Sequence, residues 1–229
     1  MNSEKGGNST LAYLNRPVEV TTYPLATFPF PDLVREYLNV FDLSRLHELL
    51  DIPAAPVTRE TDQSTWAHRR FYTNQGGSQF QLYYRRFIAQ FIAPLFNYEP
   101  LVFQAVPTFR VQQPHNLAVG EFHRDSDYNH PLTEVNFWVP LTRAGHTSSV
   151  FIEEVGGFPV NPTLNPGDLL IFDGANLRHG NKINLTGKTR VSFDFRVIRK
   201  QDYQPSTDLT VNTHLSFAVG GYYDILGPR

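Results

Sequence analysis

The chain contains no cysteine, one methionine and two tryptophans. Without thiols there is no disulfide framework, and zinc fingers and iron–sulfur clusters are excluded because both need thiolate ligands. The same absence fits a reducing compartment, so the expected location is the cytoplasm. Charge of one sign is scarce as well. Twenty Lys and Arg against 22 Asp and Glu leave a formal net charge of −2, and like charges never run beyond two or three residues. No basic footprint for nucleic acid is visible. No apolar stretch approaches the length of a membrane span, and the first thirty residues lack the apolar segment of an export signal. A soluble protein with neither nucleic-acid nor membrane partners is expected, and nothing in the sequence sets its oligomeric state.

Aromatics are abundant. Eighteen Phe and 11 Tyr in 229 residues are enough to dominate one sizeable core, and 17 Pro with 15 Gly imply many turns. Residues 1–30 read as irregular, opening on the polar "MNSEKGGNSTLAYLNRP". "PDLVREYLNVFDL" sets Leu33, Val34, Tyr37, Leu38 and Phe41 at helical spacing. "SRLHELL" follows as a short helix behind Ser44, and "WAHRRFY" resembles a strand. "SQFQLYYRRFIAQFIAPLF" is apolar almost all round and reads as a helix against a large surface, ending near Pro94.

Near residue 100 the texture changes. Short segments of period-two alternation follow, among them "LVFQAVPTFRVQQ", "LAVGEFHRDS", "TEVNFWVPLT", "SSVFIEE", "GFPVNP", "GDLLIFDG" and "TRVSFDFRVI". Turn signals separate them, and no helix intervenes, which argues for a β-sandwich or barrel. The division expected is an N-terminal helical and irregular region at 1–99, a catalytic β core at 100–200 and a C-terminal extension at 201–229. The extension's "LSFAVGGYYDILGPR" suits a lid or a dimer contact.

The stretch "GEFHRDSDYNHP" carries two histidines and two aspartates. Its "HRD" is not a kinase catalytic loop, since that motif needs Asn five residues after the Asp and His130 stands there. On a strand, alternation puts His123 and Asp125 on one face, where two ligands can converge on one ion. A third is on offer from His179, just after the apolar "DLLIF" segment. Two histidines and one carboxylate bind one face of an octahedral iron(II) and leave three positions open. In "TRVSFDFRVI" the alternation sets Arg190, Ser192, Asp194 and Arg196 against Val191, Phe193, Phe195 and Val197. A polar face of that kind inside a barrel implies a ligand, and an Arg fork beside a hydroxyl is a receptor for a carboxylate.

His123-x-Asp125, His179 and Arg190-x-Ser192 together resemble the pattern of iron(II)/2-oxoglutarate-dependent dioxygenases, most closely the streptomycin-biosynthesis-type branch, over roughly residues 100–200. That resemblance implies a double-stranded β-helix, or jelly roll, buttressed by mostly N-terminal helices. It implies His123, Asp125 and His179 as ligands of Fe(II), with Arg190 and Ser192 on the distal carboxylate of 2-oxoglutarate and O2 as the oxidant. Asn136 and Gln112 are expected beside the cosubstrate, and Arg110, Asp127 and Trp138 toward the substrate. Because Asp125 is present, no coordination position is freed for chloride, and hydroxylation of a small polar metabolite is the expected outcome. A protein or peptide hydroxylase, a sugar epimerase and a non-catalytic binding module stand as the other readings.

Overall fold

The computed structural model describes residues 17–49, 57–58, 61–73, 78–119, 121–153, 159–211 and 213–227. The polar opening of the chain lies outside them. Seven strands form one antiparallel sheet: β1 (Val18–Thr22), β2 (Leu101–Gln104), β3 (Thr108–Gln112), β4 (Val135–Pro140), β6 (Asp168–Phe172), β8 (Arg190–Arg199) and β9 (Tyr223–Leu226). Their order is β1-β6-β4-β8-β2-β9, with β3 also paired to β8. A two-stranded sheet, β5 (Phe151–Ile152) with β7 (His179–Gly180), accompanies it.

Ten-residue β8 organises the large sheet. Its first half pairs with β3, Arg190 opposite Gln112 and Ser192 opposite Arg110. Its second half pairs with β2, and its other side with β4, where Arg196 faces Asn136 and Asp194 faces Trp138. Side chains alternate across a strand, so this register puts Arg110, Gln112, Asn136, Trp138, Arg190, Ser192, Asp194 and Arg196 on one face. The opposite face is apolar, with Phe109, Phe137, Phe193 and Phe195 all fully buried.

Helices cover that apolar face. They are α1 (Phe30–Leu38), α2 (Trp66–Thr73) and α3 (Gln79–Phe87). Phe30 and Phe80 meet Phe193 edge-on with centroids 5.0 and 5.3 Å apart, and Phe71 stacks on Phe109 at 4.4 Å. Ser78 starts α3 by accepting a hydrogen bond from the Gln81 N–H. The helix then widens into a π-turn at Ile88–Ile92 before a last turn, Ala93–Leu95. The wider turn precedes Pro94, which has no N–H to give to an ordinary helical bond.

Five local expectations are corrected. The segment read as irregular contains β1, which closes one edge of the sheet against β6. "WAHRRFY" is helix α2, not a strand, because Ala67, His68 and Phe71 are buried at helical spacing behind Thr65, whose hydroxyl accepts from the His68 N–H. Phe41 is 94% exposed, since α1 stops at Asn39 in the left-handed conformation and the periodicity ends with it. "LAVGEFHRDS" makes no ladder: His123 alone forms a bridge, to His179, and Asp125 opens a 3-10 turn running to Tyr128. There the Asp127 carboxylate accepts from the Arg124 N–H, a local bond that competes with strand pairing. The strand expected at "GFPVNP" reduces, among the described residues, to a single bridge between Ile152 and Val160.

Candidate metal centre

His123 and His179 are held together by their own backbones. Each N–H donates to the other's carbonyl, at 2.9 and 2.8 Å. The Asp125 N–H donates to the Gly174 carbonyl at 2.9 Å, which docks the 3-10 turn beside the pair. One ligand atom from each of His123, Asp125 and His179 lies within 4.8 Å of the others.

The protonation of the rings follows from their partners. His123 Nδ1 lies 2.9 Å from the Glu121 carbonyl, and His179 Nδ1 lies 3.0 Å from the Leu177 carbonyl. A carbonyl only accepts, so each Nδ1 carries a hydrogen, and the tautomer with its second hydrogen absent would present the Nε2 lone pair. Those atoms point at Asp125 Oδ1, at 3.3 and 3.5 Å. Three potential ligand atoms converge, an arrangement that a divalent cation would satisfy. Burial pushes the His179 imidazole below its usual value, with Asp125 offsetting part of the effect, which favours the neutral form a ligand needs.

The other Asp125 oxygen is saturated. Oδ2 accepts from Arg196 Nε and Nη2, both at 3.0 Å, and from Asn136 Nδ2 at 2.7 Å. Only Oδ1 remains for an ion. Burial by itself would raise this carboxyl, but Arg196 and the two histidines more than offset it and hold it well below the usual carboxylate range. Gly174 makes the Asn136 contact possible, since a Cβ there would collide with the Asn136 amide.

A narrow cleft runs from the histidines between the strands, lined by Asn136, Trp138, Arg190 and Arg196 among others. Arg190 is 1% exposed. Its Nε donates to the Ser148 carbonyl at 3.1 Å and its Nη1 to Ser192 Oγ at 2.9 Å, while its guanidinium lies over the Trp138 ring at 5.4 Å. Nη2 has no partner, and among the described residues no carboxylate pairs with Arg190. Burial, followed by the like charge of Arg110, pushes its pKa down to about 9, so it stays cationic at neutral pH. Asn136 Oδ1 and Gln112 Oε1 are also buried without partners. Arg190 Nη2 therefore offers two free donors, on a guanidinium without a carboxylate partner, to the cleft, a receptor for an anion.

A second cavity, of about 400 Å³, adjoins the cleft and shares Arg110, Val119, His123 and Arg196 with it. The C-terminal segment supplies part of its wall through Thr210, Leu215 and Tyr222. Arg110 lies here, paired with Asp62 at 2.8 Å and Asp194 at 3.1 Å. Gln112 donates to the Lys182 carbonyl. Asp127 is exposed and lines neither space, and Trp138 lies in the cleft rather than in the larger cavity. Arg196, which the sequence did not single out as a site residue, pairs with Asp194, and the same side chain also clamps Asp125. Its place on the polar face of β8 was the available signal.

The fold and site define a β-sheet protein with a buried His-Asp-His cluster set beside an anion receptor. No family model matches the chain. The non-haem alpha ketoglutarate dependent epimerase SnoN from nogalamycin biosynthesis has a similar fold, with a TM-score of 0.52 and 15% identity over 83% of this chain and 80% of SnoN. At the level of sequence, 202 residues are 39% identical to the streptomycin biosynthesis protein StrG of Streptomyces griseus, covering 88% of this chain and 95% of StrG. The chain belongs to the StrG family.

Proposed function

We propose that this protein is an iron(II)- and 2-oxoglutarate-dependent oxygenase of jelly-roll architecture that hydroxylates a small polar metabolite. The observation that carries the reading is the pairing of two unmet demands along one cleft: three converging ligand atoms, and a buried guanidinium nitrogen without a partner. A divalent metal answers the first. A dicarboxylate whose other end chelates that metal answers the second.

On this reading His123 Nε2, Asp125 Oδ1 and His179 Nε2 hold the iron on one face. Arg190 and Ser192 take the distal carboxylate of 2-oxoglutarate, and Trp138 supplies an aromatic surface under the guanidinium. Bound together, iron(II) and 2-oxoglutarate supply the oxidising power for O2 chemistry, with release of succinate and CO2. The residues of the chain bind, orient and exclude water. Asn136 and Arg196 keep Asp125 in its single-oxygen attitude, and the Nδ1 hydrogen bonds keep both imidazoles turned inward. Asp125 fills the coordination position a halide would need, so hydroxylation is the outcome. A small-molecule substrate suits a chamber walled by C-terminal residues better than an extended peptide does. The kinship with StrG supports a place in specialised-metabolite assembly.

The test is anaerobic. Iron(II) and then 2-oxoglutarate are added to the metal-free protein, and the weak visible charge-transfer band of the chelate is followed. The band is expected in the parent, absent in His179→Ala, and to require much more 2-oxoglutarate in Arg190→Ala. A parent without the band overturns the reading.

A further inference from the structure

The two spaces that meet at the metal cluster treat charge in opposite ways. In the cleft, Arg190 is cationic and unmatched. In the 400 Å³ cavity, both lining arginines are already committed. Arg110 lies between Asp62 and Asp194, and Arg196 lies between Asp194 and Asp125. The five groups form a buried ladder of alternating sign, Asp62–Arg110–Asp194–Arg196–Asp125, with three carboxylates to two guanidinium groups. All five are mostly buried, Asp62 at 5% exposure and Asp194 at 7%. His130 also reaches this cavity, and Glu134 matches it through a 2.8 Å contact. Among the described residues that line the cavity, no cation is left without a carboxylate. Glu121 adds one more acidic group to the wall.

The rest of the wall is neutral. The Gln63 amide and the Thr213 and Tyr222 hydroxyls can each donate and accept hydrogen bonds. Val106, Val119 and Leu215 lie among them. Such a wall suits a ring with apolar faces and a rim of hydroxyls, and a volume of this order suits one or two such rings.

We propose that the cavity takes an uncharged, hydroxyl-bearing ring compound and rejects its phosphorylated or nucleotide-linked forms, with the Asp62–Arg110 pair as the element that sets this preference. The proposal rests on the reading of the cavity as the substrate chamber. A phosphate brings a charge of about −2 at neutral pH, and burying it unpaired is costly. Among the described residues that line the cavity, the guanidinium groups are Arg110 and Arg196. Arg196 is held by the metal-ligand carboxylate, so Arg110 is the one that a change at Asp62 would release.

The experiment compares matched pairs by saturation-transfer NMR: myo-inositol with inositol 1-phosphate, methyl glucoside with glucose 6-phosphate, and trehalose with trehalose 6-phosphate. It is run on the full chain without iron or oxygen, in an Arg190→Ala background (the parent of this comparison) that removes the cleft's own anion receptor, so its result is separate from that of the charge-transfer titration. In the parent, the neutral member of at least one pair is expected to bind at least about tenfold more tightly than its phosphate. In Asp62→Asn, which keeps the side chain's shape and frees one edge of Arg110, that ratio is expected to shrink or reverse. Phosphates that bind the parent as well as their neutral partners overturn the proposal, and so does failure of every neutral ring at about 10 mM. An unchanged ratio in a folded Asp62→Asn protein removes the assignment to the Asp62–Arg110 pair. If that variant does not fold, the parent's ratios alone decide the preference.

Discussion

The two oxygens of Asp125 have separate work. Oδ2 is tied down by three donors, which leaves Oδ1 turned toward the histidine nitrogens. Replacing Arg196 with Gln removes two of those donors and frees the carboxylate to rotate. Loss of such an outer partner typically lowers metal affinity by about 10- to 100-fold. Titration of the Arg196→Gln protein with Co(II), followed by absorption, is expected to show a loss of that size, and an unchanged affinity would remove Arg196 from the site. Gly174→Ala attacks the third donor from behind, because the new methyl group occupies the space of the Asn136 amide. It is expected to weaken Co(II) binding and to lower the melting temperature together. The ligand types were legible in the residues themselves, since His123, Asp125 and His179 fit one chemistry. Arg196 was less so. It stands 71 positions from Asp125, and only the fold brings the two into contact.

Elements differed in how much the sequence disclosed, and the reason is periodicity. Strands β3, β4 and β8 alternate cleanly because one face meets an aromatic core and the other a ligand space. The face on which their side chains lie, including Arg190, Ser192 and Asn136, could therefore be read from letter patterns, while the pairing register could not. "LAVGEFHRDS" alternates in its letters as well, yet Asp125 opens a 3-10 turn, where the Asp127 carboxylate bonds to nearby backbone instead of leaving it to a ladder. Helix α2 was hidden for a different reason: a buried histidine stands where its apolar stripe should continue. His68 is fully buried against Phe109, its Nδ1 meets the Thr65 hydroxyl and its Nε2 has no partner. Burial, with help from Arg110 and Arg69, pushes its pKa down from 6.5 to about 3. The unfolded chain thus takes up this proton first as pH falls. The stability that His68 contributes is complete above about pH 6.5 and is lost toward pH 3, at up to roughly 1.4 kcal/mol per pH unit. Denaturant midpoints for His68→Phe are expected to fall less steeply than the parent's between about pH 6 and pH 4. Parallel slopes would contradict a neutral, buried imidazole.

The molecule as a whole puts its hydrophobic capital on one face of a sheet and its charge on the other. The charged face carries one carboxylate in excess along the ladder and a cation without a carboxylate partner at Arg190. A dicarboxylate that binds there favours the folded state by mass action. With a redox-inert divalent metal present and 2-oxoglutarate at 100 times its dissociation constant, the gain is about 2.7 kcal/mol. For a chain of this size that corresponds to roughly 5–10 °C in melting temperature. Thermal shift assays are expected to show this rise in the parent and to lose most of it in Arg190→Ala. An equal shift in both would place the cosubstrate elsewhere.

That lone guanidinium has a bearing on how long the protein lasts. A chain carrying an unmatched buried charge visits its unfolded state more often, and proteases act on that state. Wherever this protein is made, its half-life should lengthen when small dicarboxylates are plentiful and shorten when they run out, so that supply would govern the amount of the protein as well as its turnover.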